Sequence, residues 1–499
     1  MSASTARLDA SQGFDPGLYN DDLRPVEAEE RNWTWVNYTT VWMGMVHNIV
    51  AYVTAASLLS LGMSAGQAIL TVITANVVLI LAMCANSVAG AKYGLPFPVL
   101  IRAAFGAKGA QVPVIVRAAV AMFWFAVQTY AGSVAINAIL GELIPGWKSL
   151  DSEFLGMGLN NWLSFGLFWI LHVYVINHGM SRVKFFELWA GPLVIVMALV
   201  LVAWAISKAN GLGPLFEQPA KVHGAAFWAL FGTSVTGLIG VWSTLVLNIP
   251  DFTRFSRSQR DQVIGQTIGL PVTTVLFSLM SIIITSGTVV AFGKPIADPV
   301  QLLIAFDNPW VLIFGGFALL VATLSVNIAA NVVSPAYDLV NLFPRRLNFV
   351  KAGVISTVLA IVFVPWLWFD DAERVYNVLN VIGGALGPVA GIMLVDFFLV
   401  RRKQYDLASF YTRDGAFQYS NGWNARGLLA LAVGLVVGLI GHVVPALDGL
   451  NDYSWFIGLA VGGAAYYVLM KPVTEMVPPE QRIEGRVDHE DVAEAGLAS

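Results

Sequence analysis

The sequence predicts an all-α integral membrane protein with twelve transmembrane helices, and three observations support this fold class. Of the 499 residues, 57% are hydrophobic. Only 12% are charged, against roughly 25% in ordinary soluble domains. Long stretches without charged residues recur along the chain at the length of a membrane crossing. So much apolar side chain exceeds what one soluble core can cover, and the excess must face lipid.

Eleven stretches without Asp, Glu, Lys or Arg mark the candidate spans, because a charge at the bilayer centre costs at least ~2.5 kcal/mol. They cover residues 32–91, 118–141, 154–181, 188–207, 222–250, 262–293, 308–337, 352–369, 375–395, 427–447 and 453–470. The first has 60 residues, about three times the ~20 of one crossing, and the turn signal Leu61-Gly62-Met63-Ser64 divides it in two. Twelve spans put both termini on one side.

Basic residues indicate which side that is. Loops on the side of the termini carry fourteen of them: Lys92, Arg102, Lys108, Arg182, Lys184, Arg254, Arg257, Arg260, Arg345, Arg346, Lys351, Arg401, Arg402 and Lys403. The opposite loops carry five: Lys148, Lys208, Lys221, Lys294 and Arg374. By the positive-inside rule, we expect a multi-pass protein of the cell membrane with both termini in the cytoplasm.

The two ends of the chain differ from the spans in composition. Residues 1–31 and 471–499 are polar and acidic, so we expect solvated cytoplasmic arms. Residues 1–31 also lack the apolar region of a signal peptide. The net charge of −4 is small, which argues against nucleic acid as a partner. A monomer in lipid is expected.

Two spans carry glycines next to polar or aromatic groups, which is typical of the broken helices of transporters. In span 1, Gly44 is followed by His47 and Asn48. In span 6, Gly237 and Gly240 precede a tryptophan. The alternative for each glycine is close packing of helices. Two such spans in corresponding positions favour a midplane binding site.

Span 3 places an indole and an amide on one helical face. Trp124 and Gln128 are four residues apart, so both can touch one ligand. An amide donates and accepts together, and an indole offers a stacking surface, which suits a flat, neutral heterocycle rich in C=O and N–H groups. The alternative is that Gln128 only bonds a neighbouring helix.

Span 8 is unusually polar for a membrane crossing. It contains Thr323, Ser325, Asn327 and Asn331, a density that is costly unless it faces a cavity or partners. One such helix can border both an ion site and a substrate site. Among the candidate groups only His47 titrates, as a proton site or as a neutral, hydrogen-bonded core histidine.

Several strings in order along the chain resemble one known family. They are Val41–Asn48, Lys92–Val99, Trp124–Gln128, Asn248–Arg254 and Asn327–Asp338. From about residue 30 to 470 the sequence is similar to the first family of nucleobase:cation symporters, whose members transport hydantoins, allantoin, uracil and cytosine. The resemblance is to the bacterial allantoin permeases in particular.

The resemblance implies an architecture and a binding site. The architecture is a LeuT-type five-plus-five inverted repeat over residues 32–403, with two additional C-terminal helices after a cytoplasmic loop in residues 404–470. By the same resemblance, Trp124 and Trp242 sandwich the heterocycle, while Asn48, Gln128 and Asn331 hydrogen-bond its amide edges.

The resemblance also implies a sodium site, with one departure. Its ligands correspond to the backbone carbonyls of Gly44, His47 and Ala322 and the hydroxyl of Ser325. Where the hydantoin branch has a second hydroxyl, this chain has Val326, which offers no side-chain oxygen. We therefore expect cation coupling, with a proton favoured over sodium.

These observations predict a secondary active transporter that imports a neutral planar heterocycle by alternating access. Allantoin is the first candidate, and uracil, cytosine and hydantoin are alternatives. A passive channel remains an alternative. An enzyme is disfavoured, because the spans contain no paired carboxylates, no metal cluster and no nucleophile beside a base. No cofactor is expected besides the coupling cation, H+ or Na+.

Overall fold

Helices follow the apolar stretches, because a helix satisfies the backbone polar groups of a lipid-embedded segment internally. The computed structural model describes residues 14–177, 180–217, 219–367 and 372–474. The helices are α1 (Trp35–Val46), α2 (Ile49–Ser60), α3 (Ala65–Tyr93), α4 (Phe97–Leu100), α5 (Arg102–Phe105), α6 (Gln111–Leu143), α7 (Leu159–Asn177), α8 (Met180–Lys208), α9 (Gly213–Phe216), α10 (Gly224–Asn248), α11 (Pro250–Thr253), α12 (Gln259–Thr267), α13 (Thr273–Phe292), α14 (Pro299–Ala305), α15 (Pro309–Asn331), α16 (Val333–Leu342), α17 (Phe349–Leu359), α18 (Ala372–Val395), α19 (Ala425–Leu439) and α20 (Ser454–Thr474).

Short elements connect these helices. A two-stranded antiparallel hairpin, β1 (Glu153–Phe154) and β2 (Met157–Gly158), lies between α6 and α7. A π-helical turn, Ile268–Val272, joins α12 to α13, and another, Asp396–Val400, extends α18. The 3-10 turns are Asp21–Leu23, Ala28–Glu30, Trp147–Ser149, Ala360–Phe363, Pro365–Leu367, Ala408–Phe410, Ile440–His442 and Pro445–Tyr453.

The described residues contain ten helical segments long and apolar enough to cross a membrane, and the bent pair α1–α2 makes eleven. This confirms a helical protein with many apolar spans. The division of the first stretch is also confirmed, since Gly62 at φ +98° forms the turn between α2 and α3. The predicted span 188–207 lies in α8, where the side chains of residues 180–192 and 194 are outside the described part.

Span 1 is broken, as predicted. Helices α1 and α2 meet at an angle of 64°, and His47 and Asn48 form the joint between them. Both joint residues leave the helical conformation, with ψ of 78° at His47 and 166° at Asn48. Backbone N–H and C=O groups next to the joint therefore lack the regular hydrogen bonds of a continuous helix.

Span 6 is not broken, so the second interruption predicted from glycines is wrong. Helix α10 runs without a break through Gly237 and Gly240. A Cβ at Gly237 would overlap the Tyr376 ring, and one at Gly240 would overlap the carbonyl oxygen of Leu379. Both glycines therefore let α18 approach the backbone of α10, which is the packing alternative.

Glycines also bring α18 against α20. A Cβ at Gly387 would lie 2.5 Å from the carbonyl oxygen of Trp455, and one at Gly391 would overlap that of Leu459. These glycines therefore let the backbone of α20 lie directly against α18.

Residues 14–31 pack against one end of the helix bundle, which differs from the expected solvated arm. Leu23 and Val26 are buried. The buried Arg254 guanidinium donates to the backbone oxygens of Asp22 (3.1 Å) and Arg24 (2.8 Å). A buried guanidinium needs acceptors, and this segment supplies them.

A second buried arginine holds the same segment. Arg102 donates to the backbone oxygens of Leu18 (2.9 Å) and Phe410 (2.7 Å), and burial lowers its pKa to about 10. The N-terminal segment and the loop before α19 therefore share one anchor. Residues 1–13 and 475–499, with most of the predicted arms, lie outside the described part, as do the side chains of Arg182 and Lys184.

Candidate functional site

The joint between α1 and α2 is held by one side-chain amide. Asn48 Nδ2 donates to the carbonyl oxygens of Met45 (2.9 Å) and Val46 (3.3 Å) at the end of α1. Its Oδ1 accepts from the backbone N–H of Ala51 (3.0 Å) in the first turn of α2. Asn48 thus caps both half-helices, which explains why the break occurs at this residue.

The same amide binds α6. Gln128 Nε2 donates to Asn48 Oδ1 over 3.0 Å, and both side chains are buried. Asn48 therefore has four hydrogen bonds to the protein. Its donors and acceptor therefore have protein partners in this structure, and its predicted contact with the substrate stays a prediction. The amide of Asn48 thus connects Gln128 to the joint between α1 and α2.

Trp124 and Gln128 share a buried face of α6, as their spacing predicts. Each side chain is 5% exposed. Within the described part of the chain, the indole N–H of Trp124 and the amide oxygen Oε1 of Gln128 have no hydrogen-bond partner. A buried donor and a buried acceptor without partners are costly, and a ligand with a C=O and an N–H group satisfies both.

Helix α15 contributes two side-chain amides whose hydrogen bonds connect it to α6. Asn331 Nδ2 donates to Asn327 Oδ1 (2.9 Å). Asn327 Nδ2 in turn lies 3.2 Å from the backbone oxygen of Phe125 and 3.1 Å from Thr129 Oγ1. Phe125 and Thr129 follow Trp124 and Gln128 in sequence, so Asn331 is tied to the part of α6 that carries the candidate site. Asn327, Thr129 and the histidine described below were not predicted as site residues.

The two predicted indoles lie in adjoining hydrophobic clusters. Trp242 contacts Trp42 edge-to-face, with ring centroids 5.7 Å apart. Trp124 belongs to the neighbouring cluster with Ile49 and Val50. The side chains that pack against both clusters include Val120, Phe123 and Val241. The two clusters that contain the indoles therefore share apolar neighbours, and α6 contacts α10.

The four candidate cation ligands come from α1 and α15, which touch. Ser325 is 2% exposed, and its hydroxyl has no hydrogen-bond partner among the described residues. Ala322 is buried on the same helix, and Gly44 is buried in α1. Val326 is buried as well, without a side-chain oxygen.

His47 completes this set at the end of α1. Its Nδ1 bonds the carbonyl oxygen of Met43, and its ring meets Phe277 edge-to-face at 4.8 Å. The ring is thus held by α1 and α13. Among the described residues, no group of three or more His, Cys, Asp or Glu side chains could hold a metal ion. The candidate cation ligands are carbonyls and one hydroxyl.

An apolar cavity of about 350 Å³ lies beside the candidate site, between α6, α18 and the turn at Phe363. Its lining residues are Ala119, Val120, Phe123, Phe363, Asn377, Val378, Val381 and Ile382. Because nearly all of these are apolar, the cavity does not match a polar heterocycle. The five predicted substrate residues are only 4–8% exposed, so the polar site is closed to solvent.

Comparison with known proteins places these features in a family. A family model described as "Permease for cytosine/purines, uracil, thiamine, allantoin" matches residues 25–458. The chain is 44% identical over 493 residues to the allantoin permease of Bacillus subtilis (strain 168), covering 98% of this chain and 100% of that protein. It is 36% identical over 475 residues to the purine-uracil permease NCS1 of Arabidopsis thaliana, covering 93% and 79%.

A solved structure shows the same fold. Mhp1, a nucleobase-cation-symport-1 family transporter in a closed conformation with bromovinylhydantoin bound, aligns with a TM-score of 0.77 and 24% identity. The alignment covers 92% of this chain and 97% of Mhp1. The protein is thus a multi-pass membrane transporter rather than an enzyme. The chain belongs to the nucleobase-cation-symport-1 family, the permeases for cytosine/purines, uracil, thiamine and allantoin.

Proposed function

We propose that this protein imports a neutral planar nitrogen heterocycle, allantoin first, by cation symport with alternating access. The observation that carries the proposal is the pair of buried atoms without partners on α6, a donor at Trp124 Nε1 and an acceptor at Gln128 Oε1. A cyclic amide or ureide presents C=O and N–H groups side by side. The name of the Bacillus subtilis relative, allantoin permease, supports allantoin over uracil, cytosine or hydantoin.

In this proposal the substrate stacks between Trp124 and Trp242. Gln128, Asn331 and Asn48 hydrogen-bond its amide edges, and Asn48 also bonds Gln128. The absence of charge on these five side chains favours a neutral solute, since an anionic or cationic one calls for a charged partner.

The proposed layout is twelve spans, with both termini cytoplasmic. Residues 32–403 form the inverted repeat, and residues 404–470 add a cytoplasmic loop and two helices. The N-terminal segment 1–31 and the tail 471–499 lie on the cytoplasmic side, and the chain works as a monomer. The likeness to Mhp1 over nearly the whole chain supports the helical arrangement, and the distribution of basic residues supports the orientation.

The proposed cation site consists of the carbonyls of Gly44, His47 and Ala322 and the hydroxyl of Ser325. Sodium prefers several hard oxygen ligands, and Val326 withholds one of them. A proton is therefore the favoured coupling ion, with His47 as its candidate acceptor.

Uptake of radiolabelled allantoin into proteoliposomes tests the transport proposal. We expect accumulation above the external concentration under an imposed cation gradient, competed by unlabelled allantoin. The Gln128→Leu variant should lose ~1–3 kcal/mol of binding free energy, because the substrate then has an unpaired polar group. Gln301→Leu, an exposed change in α14, is the matched control. Uptake that only equilibrates would indicate a channel.

Imposed gradients of single ions test the coupling proposal. An inward proton gradient should drive allantoin accumulation in the wild-type protein, while a sodium gradient should not. Val326→Thr restores a hydroxyl beside Ser325 and should add a sodium response. A steep sodium response together with indifference to protons in the wild-type protein would contradict the preference for protons.

A further inference from the structure

A buried histidine in α7 has a defined protonation pattern. His172 is fully buried, and such a polar group inside a membrane span is costly without partners. Its Nδ1 lies 2.7 Å from the carbonyl oxygen of Phe168. A carbonyl oxygen only accepts, so Nδ1 carries the proton. In the neutral ring, Nε2 is then an acceptor.

That acceptor faces an amide of α15. His172 Nε2 lies 3.0 Å from Asn327 Nδ2, so Asn327 is the donor. The other two neighbours of Asn327 Nδ2 also accept: the backbone oxygen of Phe125, and Thr129 Oγ1, whose own proton goes to that oxygen at 2.7 Å. Since all three neighbours are acceptors, the orientation of the Asn327 amide is set, with its nitrogen towards α6 and α7.

The orientation continues one helical turn further along α15. The oxygen of Asn327 accepts from Asn331 Nδ2 over 2.9 Å. The nitrogen of Asn331 is thereby turned towards Asn327. Its carbonyl oxygen is left as the acceptor for another group, and an acceptor selects an N–H donor.

We propose that His172, in the tautomer with Nδ1 protonated, is a positioning residue for substrate recognition. Through Asn327 it fixes which end of the Asn331 amide meets the substrate, so that this side of the site selects an N–H group. The inference rests on the proposed function, which places Asn331 against the substrate. In this proposal His172 does not contact the substrate and acts through the amides of Asn327 and Asn331.

We call the connection from His172 through Asn327 to Asn331 the relay. Binding of hydantoin and its N-methyl derivatives to purified full-length protein tests it. The quantities to measure are the Kd values of each protein variant for hydantoin, 1-methylhydantoin and 3-methylhydantoin, by calorimetry. The wild-type protein should bind hydantoin more tightly than at least one methylated form. His172→Leu removes one of the three acceptors around the Asn327 amide nitrogen and should reduce that selectivity, by at most about the tenfold expected when one buried hydrogen bond is lost.

Two further variants separate positioning from packing. His172→Gln places an amide oxygen near the former Nε2 and should restore most of the selectivity. If His172→Leu does not fold, Thr129→Val removes another acceptor from the same amide nitrogen and should also reduce selectivity. Ser133→Ala is the control, because Ser133 donates to the backbone oxygen of Tyr130 one turn along α6 and does not contact Asn327.

A double-mutant cycle gives the decisive readout. If His172 acts only through Asn331, His172→Leu should leave the Kd of the Asn331→Ala protein unchanged. An equal loss of affinity for all three ligands, or unchanged selectivity in the His172 and Thr129 variants, would overturn the relay alone. Failure of the wild-type protein to bind any of allantoin, uracil, cytosine or hydantoin would overturn the proposed function, and the relay with it.

Discussion

In the proposed function, single uncharged atoms of Trp124 and Gln128 distinguish one ligand from another. Trp124 contributes a donor and Gln128 an acceptor, both buried where water does not replace a missing partner. In such surroundings discrimination comes from the cost of an unsatisfied polar atom rather than from attraction between charges. We therefore expect a ligand with a reversed hydrogen-bonding edge to bind more weakly even when its shape fits.

Trp124→Phe separates stacking from hydrogen bonding. Phenylalanine keeps an aromatic face but lacks the N–H, so allantoin should bind more weakly by ~1–3 kcal/mol because its carbonyl is left unpaired. Calorimetric Kd values give the measurement. Trp310→Phe is the control, since Trp310 is 67% exposed on α15. Equal affinity in Trp124→Phe and the wild-type protein would show that the indole N–H does not contact the substrate.

Residue spacing predicts some of the contacts around the candidate site and not others. Trp124 and Gln128 could be placed together because helical periodicity relates neighbours four positions apart. Local pattern does not show that Asn48 caps two helices and bonds Gln128, a residue 80 positions away. His172 was not selected, because its partner Asn327 is 155 positions away. Contacts over such separations are not encoded in local pattern.

At the scale of helices, glycine proved an ambiguous signal. Gly44 and Gly237 both occur in spans predicted to break, yet only span 1 does. Glycine weakens a helix and also permits close approach of another backbone, and the neighbouring helix decides which effect matters. In span 1 the break comes at the capping Asn48. In span 6 the backbone of α18 fills the space that side chains would occupy.

The contact between α18 and α20 gives a stability prediction. Gly391→Ala introduces a Cβ that overlaps the carbonyl oxygen of Leu459, so the free energy of unfolding should fall by ~1–3 kcal/mol. Thermal unfolding of the detergent-solubilised protein gives the measurement. Gly66→Ala is the matched control, because nothing lies within 4 Å of a Cβ there. An equal Tm for both variants would contradict backbone contact at Gly391.

For the whole molecule, the distribution of basic residues predicts orientation. The chain has one cysteine, so single-cysteine variants are built on Cys84→Ser. In intact cells, a membrane-impermeant maleimide should label Lys148→Cys, on the predicted outer side. Asp414→Cys should be labelled only after permeabilisation. Both positions are exposed to solvent. The reverse pattern would place the termini outside.

The amide at Asn48 has a thermodynamic consequence for the transport cycle. One side chain joins two half-helices to Gln128, so the angle at the joint and the position of Gln128 are mechanically linked. By reciprocity, if straightening the joint alters ligand affinity, then ligand occupancy alters the energy of straightening by the same amount. Solute binding and rearrangement of the first span would then be coupled by the same free energy in both directions.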